Sequence, residues 1–343
     1  MVTKKTVHVG IDFHKRTSTL CFLEDDKEHY ETIETKRPPV FLSNKKDLSI
    51  AIETTCGANH YVQILKDQGH QVSLIASGIF RGIGIGGKKT DHRDARALAI
   101  ALKNNAIPEV HLKSLNARKI KSLVVCREES VSSRTRLICH IRGTLNEYGL
   151  TMPVGRENFE FQVRGIIEKL EDGYLKEILK QKLNRLQEIK EEIHTVDLAI
   201  TELQKEDESI HRIKAIPGVG PMVAIMMKVL TEDIKRFKNA KHFTSYLGLV
   251  PSVSASANKR YMGRITRSGS ELARRYLIHG ARAAMRYNPE DDKHLEWAKG
   301  IEARRGTNKA VVALARRMAS IIFAMIRDQS EYKGRKKKKY KAE

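Results

Sequence analysis

Cysteine is scarce in this chain. Four stand in 343 residues, at positions 21, 56, 126 and 139, with no CxxC pair and no zinc-ligand rhythm. Scattered thiols of this kind suit a reducing cytoplasm and read as small buried apolar side chains. Long apolar runs are also missing. None approaches the roughly 18–20 residues that span a membrane, so no membrane partner is expected. The first six residues lead straight into a strand-like run, so no signal peptide is expected. A cytoplasmic protein of the bacterial nucleoid is the expectation. Acid is the minority charge: 63 Lys and Arg face 41 Asp and Glu, a formal net charge of +22. That excess favours a polyanionic partner, nucleic acid before an anionic membrane surface. The length gives room for two or three domains, each with its own core.

In so basic a chain, the acids at the ends of apolar segments stand out. Asp12 ends the run 7–11 and Glu53 ends the run 48–52; Asp91 and Asp94 open an apolar-periodic stretch, three apart and so on one helix face. Carboxylates beside apolar segments are costly unless something compensates. A divalent cation would do so: Mg²⁺ takes hard oxygen ligands, and paired Mg²⁺ ions are common machinery for cutting phosphodiesters. Singly, each acid reads as well as a solvated strand end or a helix cap. The set, in this order, favours a metal site.

Residues 5–110 read as alternating strands and helices. Strands are expected at 7–11, 17–23, 50–52 and 72–76, with the first two forming a hairpin, and a helix at 59–68. Thr90 is a good N-cap for a helix that begins at Asp91, with acids in its first turn where the dipole favours them. Residues 82–89, Gly-Ile-Gly-Ile-Gly-Gly-Lys-Lys, nearly spell a P-loop, but Lys89 stands where the Mg²⁺-binding hydroxyl belongs. They read instead as a loop beside the acids, offering Lys88 and Lys89 to a nucleic-acid phosphate.

Residues 111–150 look like one long basic helix, ended near Pro153 and Gly155. Over 163–206, apolar residues recur at Leu179, Leu183, Leu186, Ile189, Ile193, Val196, Ile200 and Leu203, close to a heptad seam. An antiparallel pairing with the preceding helix, or with another subunit, would bury it. Ile216-Pro217-Gly218-Val219-Gly220, followed by an apolar run, resembles the turn of a helix-hairpin-helix, in which backbone N–H groups, here near Gly218 and Gly220, bind phosphate without reading sequence. The Lys-rich end, 333–341, reads as a disordered phosphate-binding tail. The division expected is 1–110 for the metal-binding domain, 111–210 for a helical coiled-coil linker, 211–325 for a C-terminal domain and 326–343 for the tail.

An acid on the first strand, another on a later strand and a pair on a helix resemble the ribonuclease-H-like (RuvC-like) fold of Holliday-junction resolvases. Within that class, Val9-Gly10-Ile11-Asp12-Phe13-His14-Lys15, Ile52-Glu53-Thr54-Thr55 and Lys89-Thr90-Asp91-His92-Arg93-Asp94-Ala95 resemble the DEDD transposases of the IS-one-ten type of bacterial insertion sequence. So do Leu247-Gly248-Leu249-Val250-Pro251, Ser256, Lys259-Arg260, Gly263-Arg264-Ile265-Thr266-Arg267-Ser268-Gly269 and the segment 277–284. The resemblance covers about 7–110 and 213–320. It implies an α/β plus all-α chain that recombines DNA, holding Mg²⁺ on Asp12, Glu53, Asp91 and Asp94. It also implies a serine nucleophile, which falls by position on Ser256, with Ser252 and Ser254 less well placed. The family usually has Ser-Gly there and this chain has Ser-Ala. Lys259, Arg260, Arg264 and Arg267 would neutralise the transition-state charge. The resemblance further implies a site shared by the two domains across subunits of a dimer or a tetramer holding donor and target DNA. A structured noncoding guide RNA would supply sequence specificity by base pairing.

Two other classes remain open from the residues alone. One is a metal-only nuclease or junction resolvase in which water attacks and Ser256 is structural. The other is a non-catalytic nucleic-acid scaffold. His14, His60 and His92 lie near the acids in sequence; a histidine ligand or base is open there, with solvated or hydrogen-bonded roles the first reading. Trp297 and Tyr276 could stack on bases, with core packing the safer assignment.

Overall fold

A computed structural model describes residues 6–25, 27–54, 57–76, 90–106, 109–153, 155, 158–171, 173–256, 259–287 and 292–334. The chain forms two compact units, Met1–Lys113 and Ser114–Glu343.

The first unit is built on a five-stranded sheet. Its strands are β1 (His8–Phe13), β2 (Thr17–Glu24), β3 (Lys27–Glu34), β4 (Ser49–Glu53) and β5 (Gln71–Ile75), in the order β3-β2-β1-β4-β5. β1 pairs antiparallel with β2 and parallel with β4, and β4 pairs parallel with β5. β3, a polar strand with little buried surface, carries no apolar alternation and was not expected from the sequence. Helix α1 (Pro38–Leu42) and helix α2 (Ala58–Asp67) cover one face, where Val9, Ile11, Leu20, Ile50 and Ile52 pack with Leu42, Val62 and Leu65.

The other face carries α3 (Asp91–Lys103), and its chemistry follows from strand alternation. Gly10 pairs with Cys21 on one side and Ala51 on the other. These three small residues make a row across the sheet, and α3 lies on it through Ala95, Leu98 and Ala99. The approach is so close that a methyl group at Gly10 would overlap the Ala95 carbonyl oxygen and lie 2.7 Å from the Ala99 nitrogen. Thr90 caps the helix as expected, its side chain accepting from the Arg93 N–H.

The second unit is largely helical. Helix α4 (Leu115–Glu147) and helix α6 (Tyr174–Lys205) run antiparallel, as Arg127–Asp197 and Ser130–Glu192 pairings show. The stretch 163–206 is not one helix: α5 (Phe159–Lys169) ends before Gly173, which precedes α6. Leu179, Leu183 and Leu186 are buried against α4 and α5 of the same chain. Then come α7 (Glu208–Lys214), α8 (Pro221–Leu230) and α9 (Ala240–Tyr246). A hairpin follows, β6 (Pro251–Ser256) with β7 (Lys259–Ile265), and the chain closes with α10 (Glu271–Tyr287), α11 (Lys293–Arg305) and α12 (Thr307–Asp328). The hairpin was not foreseen in a domain read as helical. The segment expected to be tail from 326 is still folded at its start: α12 runs to Asp328, Tyr332 donates to Asp292, and Lys293 N–H donates to the Gly334 carbonyl. Residues 335–343 lie outside the described residues. Among the described residues, no helix is long and apolar enough to cross a membrane.

Replacing Gly10 by Ala is expected to destabilise the first unit by about 2 kcal/mol or more, because backbone atoms cannot yield as a side-chain tip can. Denaturant unfolding of the purified variant measures this.

Candidate functional site

Strand register sets the first part of the site. β1 and β4 are parallel with Ile11 opposite Ile52, so Asp12 and Glu53 end neighbouring strands at one edge of the sheet. Asp12 is two residues beyond Gly10 and therefore on the face that carries α3. Asp91 is four residues before Ala95, one turn nearer the helix N-terminus. Two strand residues and four helical residues each advance about 6 Å, so Asp91 comes over Asp12. The row Cys21–Gly10–Ala51 holds the helix; the next row on this face, Thr19–Asp12–Glu53, lies under its first turn.

The geometry agrees. Ligand atoms of Asp12, His14 and Asp91 all lie within 4.8 Å of one another. His14 Nε2 is 3.0 Å from Asp12 Oδ2 and 3.1 Å from Asp91 Oδ1. Asp12 is 5% exposed, while Asp91 is open to solvent. Although Asp12 Oδ2 lies within ion-pair distance of His14, it accepts no hydrogen bond of acceptable angle from any described group. Burial pushes the Asp12 carboxyl above its ordinary range; His14 pulls it back, and Asp94, Asp91 and Glu53 push it further. The other three acids expected from the sequence thus all act on Asp12.

A divalent ion fits this donor set. The carboxylate oxygens are hard, one buried oxygen is short of hydrogen bonds, and the mutual repulsion is what positive charge relieves. Asp12, His14 and Asp91 are the groups whose ligand atoms lie close enough to share an ion, while Glu53 and Asp94 act on Asp12 through their charge. His14 was read as solvated or hydrogen-bonded. It sits between the two carboxylates and offers a ligand atom to the same cluster, the alternative that the sequence leaves open. Alternation from Asp12 was the signal that could have placed it, since His14 is the next residue on the same face. His92 stacks on Tyr30 at 4.8 Å, and His60 meets the edge of Tyr61.

The other expected site residues belong to separate surroundings. Lys88 and Lys89 lie outside the described residues. Ser256 pairs with Lys259 at the end of the β6–β7 hairpin, and the side chains of Ser256, Lys259 and Arg260 are likewise outside the described set. Arg264 is exposed on β7; Arg267 follows it with φ +58°, its N–H donating to the Gly248 carbonyl. Gly218, at φ +83°, is pressed against Gly280 of α10, where a Cβ on either would overlap the other's carbonyl oxygen. That close approach, rather than an open phosphate cradle, accounts for glycine at 218. Gly220 is exposed at the start of α8. Tyr276 is half-buried and donates to Glu128, whereas Trp297 is 38% exposed and not a core residue.

A five-stranded mixed sheet with carboxylates gathered at one edge defines a DEDD-type metal-site domain. Comparison with known proteins gives the family. Residues 9–150 match the DEDD transposase model of the IS110 group, and residues 210–296 match the model described as the transposase IS116/IS110/IS902 family. The transposase for insertion sequence element IS1111A of Coxiella burnetii is 32% identical over 333 residues, covering 95% of this chain and 91% of that protein. A probable family 20 transposase of Pseudomonas aeruginosa is 29% identical, covering 95% of this chain and 98% of its own length. The transposase for element IS1328 of Yersinia enterocolitica is 25% identical, covering 92% of this chain and 96% of its own length. The chain belongs to the IS116/IS110/IS902 transposase family: it is a DNA transposase with a DEDD-type domain.

The raised Asp12 pKa gives a signed prediction. A carboxyl that holds its proton more tightly when folded than the usual value of about 3.9 destabilises the fold increasingly as pH rises from there through its folded pKa. Asp12→Asn is therefore expected to melt higher than the parent in metal-free buffer at pH 7.5, with the advantage shrinking towards pH 4. A saturating divalent ion should stabilise the parent by about 2.7 kcal/mol at 100 times its Kd, and Asp12→Asn should lose that gain. Melting curves with chelator and with added Mg²⁺ or Mn²⁺ read both effects.

Proposed function

We propose that this transposase cuts and rejoins DNA through a ribonuclease-H-like metal site and a serine nucleophile. The observation that carries the reading is the gathering of ligand atoms of Asp12, His14 and Asp91 within 4.8 Å of one another, with Glu53 and Asp94 near enough to act on the buried Asp12 carboxyl. The strand order, with antiparallel β3-β2-β1 joined to parallel β4-β5, supports the ribonuclease-H-like assignment. The seam of α6 against α4 supports the coiled-coil reading of the helical segment.

Mg²⁺ is the proposed ion, and its chemistry would be to withdraw charge from a phosphodiester and acidify a bound hydroxyl. Asp12 and Asp91 would hold it, Glu53 and Asp94 would complete the charge balance, and His14 contacts both holding carboxylates. Ser256 attacks the phosphorus through Oγ. One P–O bond forms, the bond to the leaving sugar oxygen breaks, and that oxygen departs with a proton. Attack by a hydroxyl of the partner strand on the phosphoserine reverses the exchange, so the strand is rejoined without ATP. Lys259, Arg260, Arg264 and Arg267 neutralise the developing charge. Lys88, Lys89 and the exposed end at Gly220 add phosphate contacts. The working assembly is a dimer, or a tetramer when donor and target DNA are both held, and a structured noncoding RNA guides it by base pairing.

Protein incubated with Mg²⁺, RNA transcribed from the flanking noncoding segment and end-labelled DNA is expected to give a covalent protein–DNA band. Ser256→Ala should remove the band, and Asp12→Ala should remove all cleavage. Cleavage that persists in Ser256→Ala without any adduct would establish the metal-only resolvase reading instead. Omitting the RNA should abolish target-specific cutting if guidance is correct.

A further inference from the structure

The second unit contains a large cleft, about 1550 Å³, whose walls are β6–β7, α10, α11 and α12. Eight Lys and Arg side chains line it against a single carboxylate, Glu271. Two of the eight are committed to the fold. Arg274 is buried and donates to the carbonyls of Leu247 and Ser268, and Arg275 pairs with Glu128. The other six, Arg264, Arg267, Arg282, Lys309, Arg316 and Arg317, form no ion pair with a carboxylate among the described residues. Lys309, Arg316 and Arg317 follow one face of α12, while Leu314, Met318 and Ile322 of the same helix are buried in the core.

The cleft is not only basic. Ile278 and Val312 line it, and so does Trp297, with the Arg317 guanidinium 4.4 Å from its ring centroid. A double helix turns its phosphates outward and keeps its bases stacked, so it gains little from apolar walls. An unpaired strand offers both phosphates and base faces. Aromatic side chains in a basic groove, backed by arginine, are what such a strand needs. The strand's destination is also on the page. Pro251 and Gly263 line the cleft, and the hairpin they belong to ends at Ser256, about 17 Å further along at about 3.3 Å per residue.

We propose that this cleft seats an unpaired DNA strand, with a base stacked on Trp297 beside Arg317 and its phosphates held by Arg264, Arg282, Lys309 and Arg316. The strand leads along the hairpin to Ser256. This identifies the track of the substrate and rests on the strand-exchange reading above. Trp297 acts as a positioning residue and takes no part in bond breaking.

Trp297 is the chain's single tryptophan, so its emission reports directly on the cleft. Full-length protein in chelator, where no cleavage occurs, is titrated with a 12-nucleotide single-stranded DNA, its duplex, an abasic strand and an RNA of the same sequence. The single strand should quench the emission strongly and the duplex and abasic strand should not. By anisotropy, Trp297→Ala should weaken binding of the labelled single strand about tenfold, with Trp297→Phe losing less. Lys309→Ala combined with Arg316→Ala should reduce the salt dependence of binding by roughly one to two phosphate contacts. Equal quenching by duplex or abasic strand, unchanged affinity in a folded Trp297→Ala protein, or quenching by RNA alone overturns the proposal. A Ser256 adduct formed without any Trp297 quenching would sink the cleft and spare the strand-exchange chemistry. Quenching without an adduct would do the reverse.

Discussion

The contact between α3 and the row Cys21–Gly10–Ala51 is the constraint on which the rest of the first unit depends. A helix normally stands about 10 Å from a sheet because side chains fill the gap, much as between stacked sheets. Here the centre of the row has no side chain and its neighbours are small, so the helix backbone reaches the strand. What this achieves is chemical. It brings the first turn of α3 down to the level of Asp12, within a few ångströms of a carboxylate that strand β1 has carried to the sheet's edge. A larger residue at position 10 would lift Asp91 and Asp94 away together, because both ride on the same rigid helix.

Gathering acids this way opposes folding. Asp12 is buried, short of hydrogen bonds and surrounded by like charge, and each of these raises the cost of its ionised form. The fold tolerates the strain because apolar packing on the opposite face is dense, with Ile11, Leu20, Ile50, Ile52 and Leu65 fully buried. His14 offsets part of it. Its ring nitrogen contacts Asp12 and Asp91 at 3.0 and 3.1 Å, a bridging position that a cation would also favour. Stability lost at the acids is the reserve from which metal affinity is drawn, as expected where function conflicts with folding.

The acids were legible in the sequence because each ends or begins an apolar segment, and the segments themselves show period and caps. Strand parity then fixes which face each residue takes, without any tertiary information. His14 was within reach of the same rule, but a histidine beside lysine and arginine in a loop carries no compositional signal. β3 escaped because its two apolar residues, Tyr30 and Ile33, are three apart and so fall on opposite faces among Glu28, Glu31 and Glu34, and its burial is slight. The seam read from the sequence begins only at Leu179, so the break between α5 and α6 lies ahead of it, where the spacing carries no signal. The glycine at 218 was visible as a turn, but its reason was not: the need comes from Gly280, sixty-two positions later, and only packing shows it.

The two units divide the electrostatic work of handling DNA. A carboxylate cluster repels phosphate until a cation is present, so it cannot serve as the main source of affinity. The basic cleft of the second unit presents Lys and Arg against a single carboxylate, a lining that favours phosphate with or without metal. A transposase that bound substrate through its metal site alone would let cut ends go as soon as charge changed at the phosphorus. On the proposed track, separating retention from chemistry would let a strand remain seated on arginines and an indole while its phosphodiester is broken and remade. That division also explains why a chain with a net charge of +22 keeps four acids so close together. On this proposal the surplus of positive charge would hold the nucleic acid, and the small enclave of negative charge would act on it.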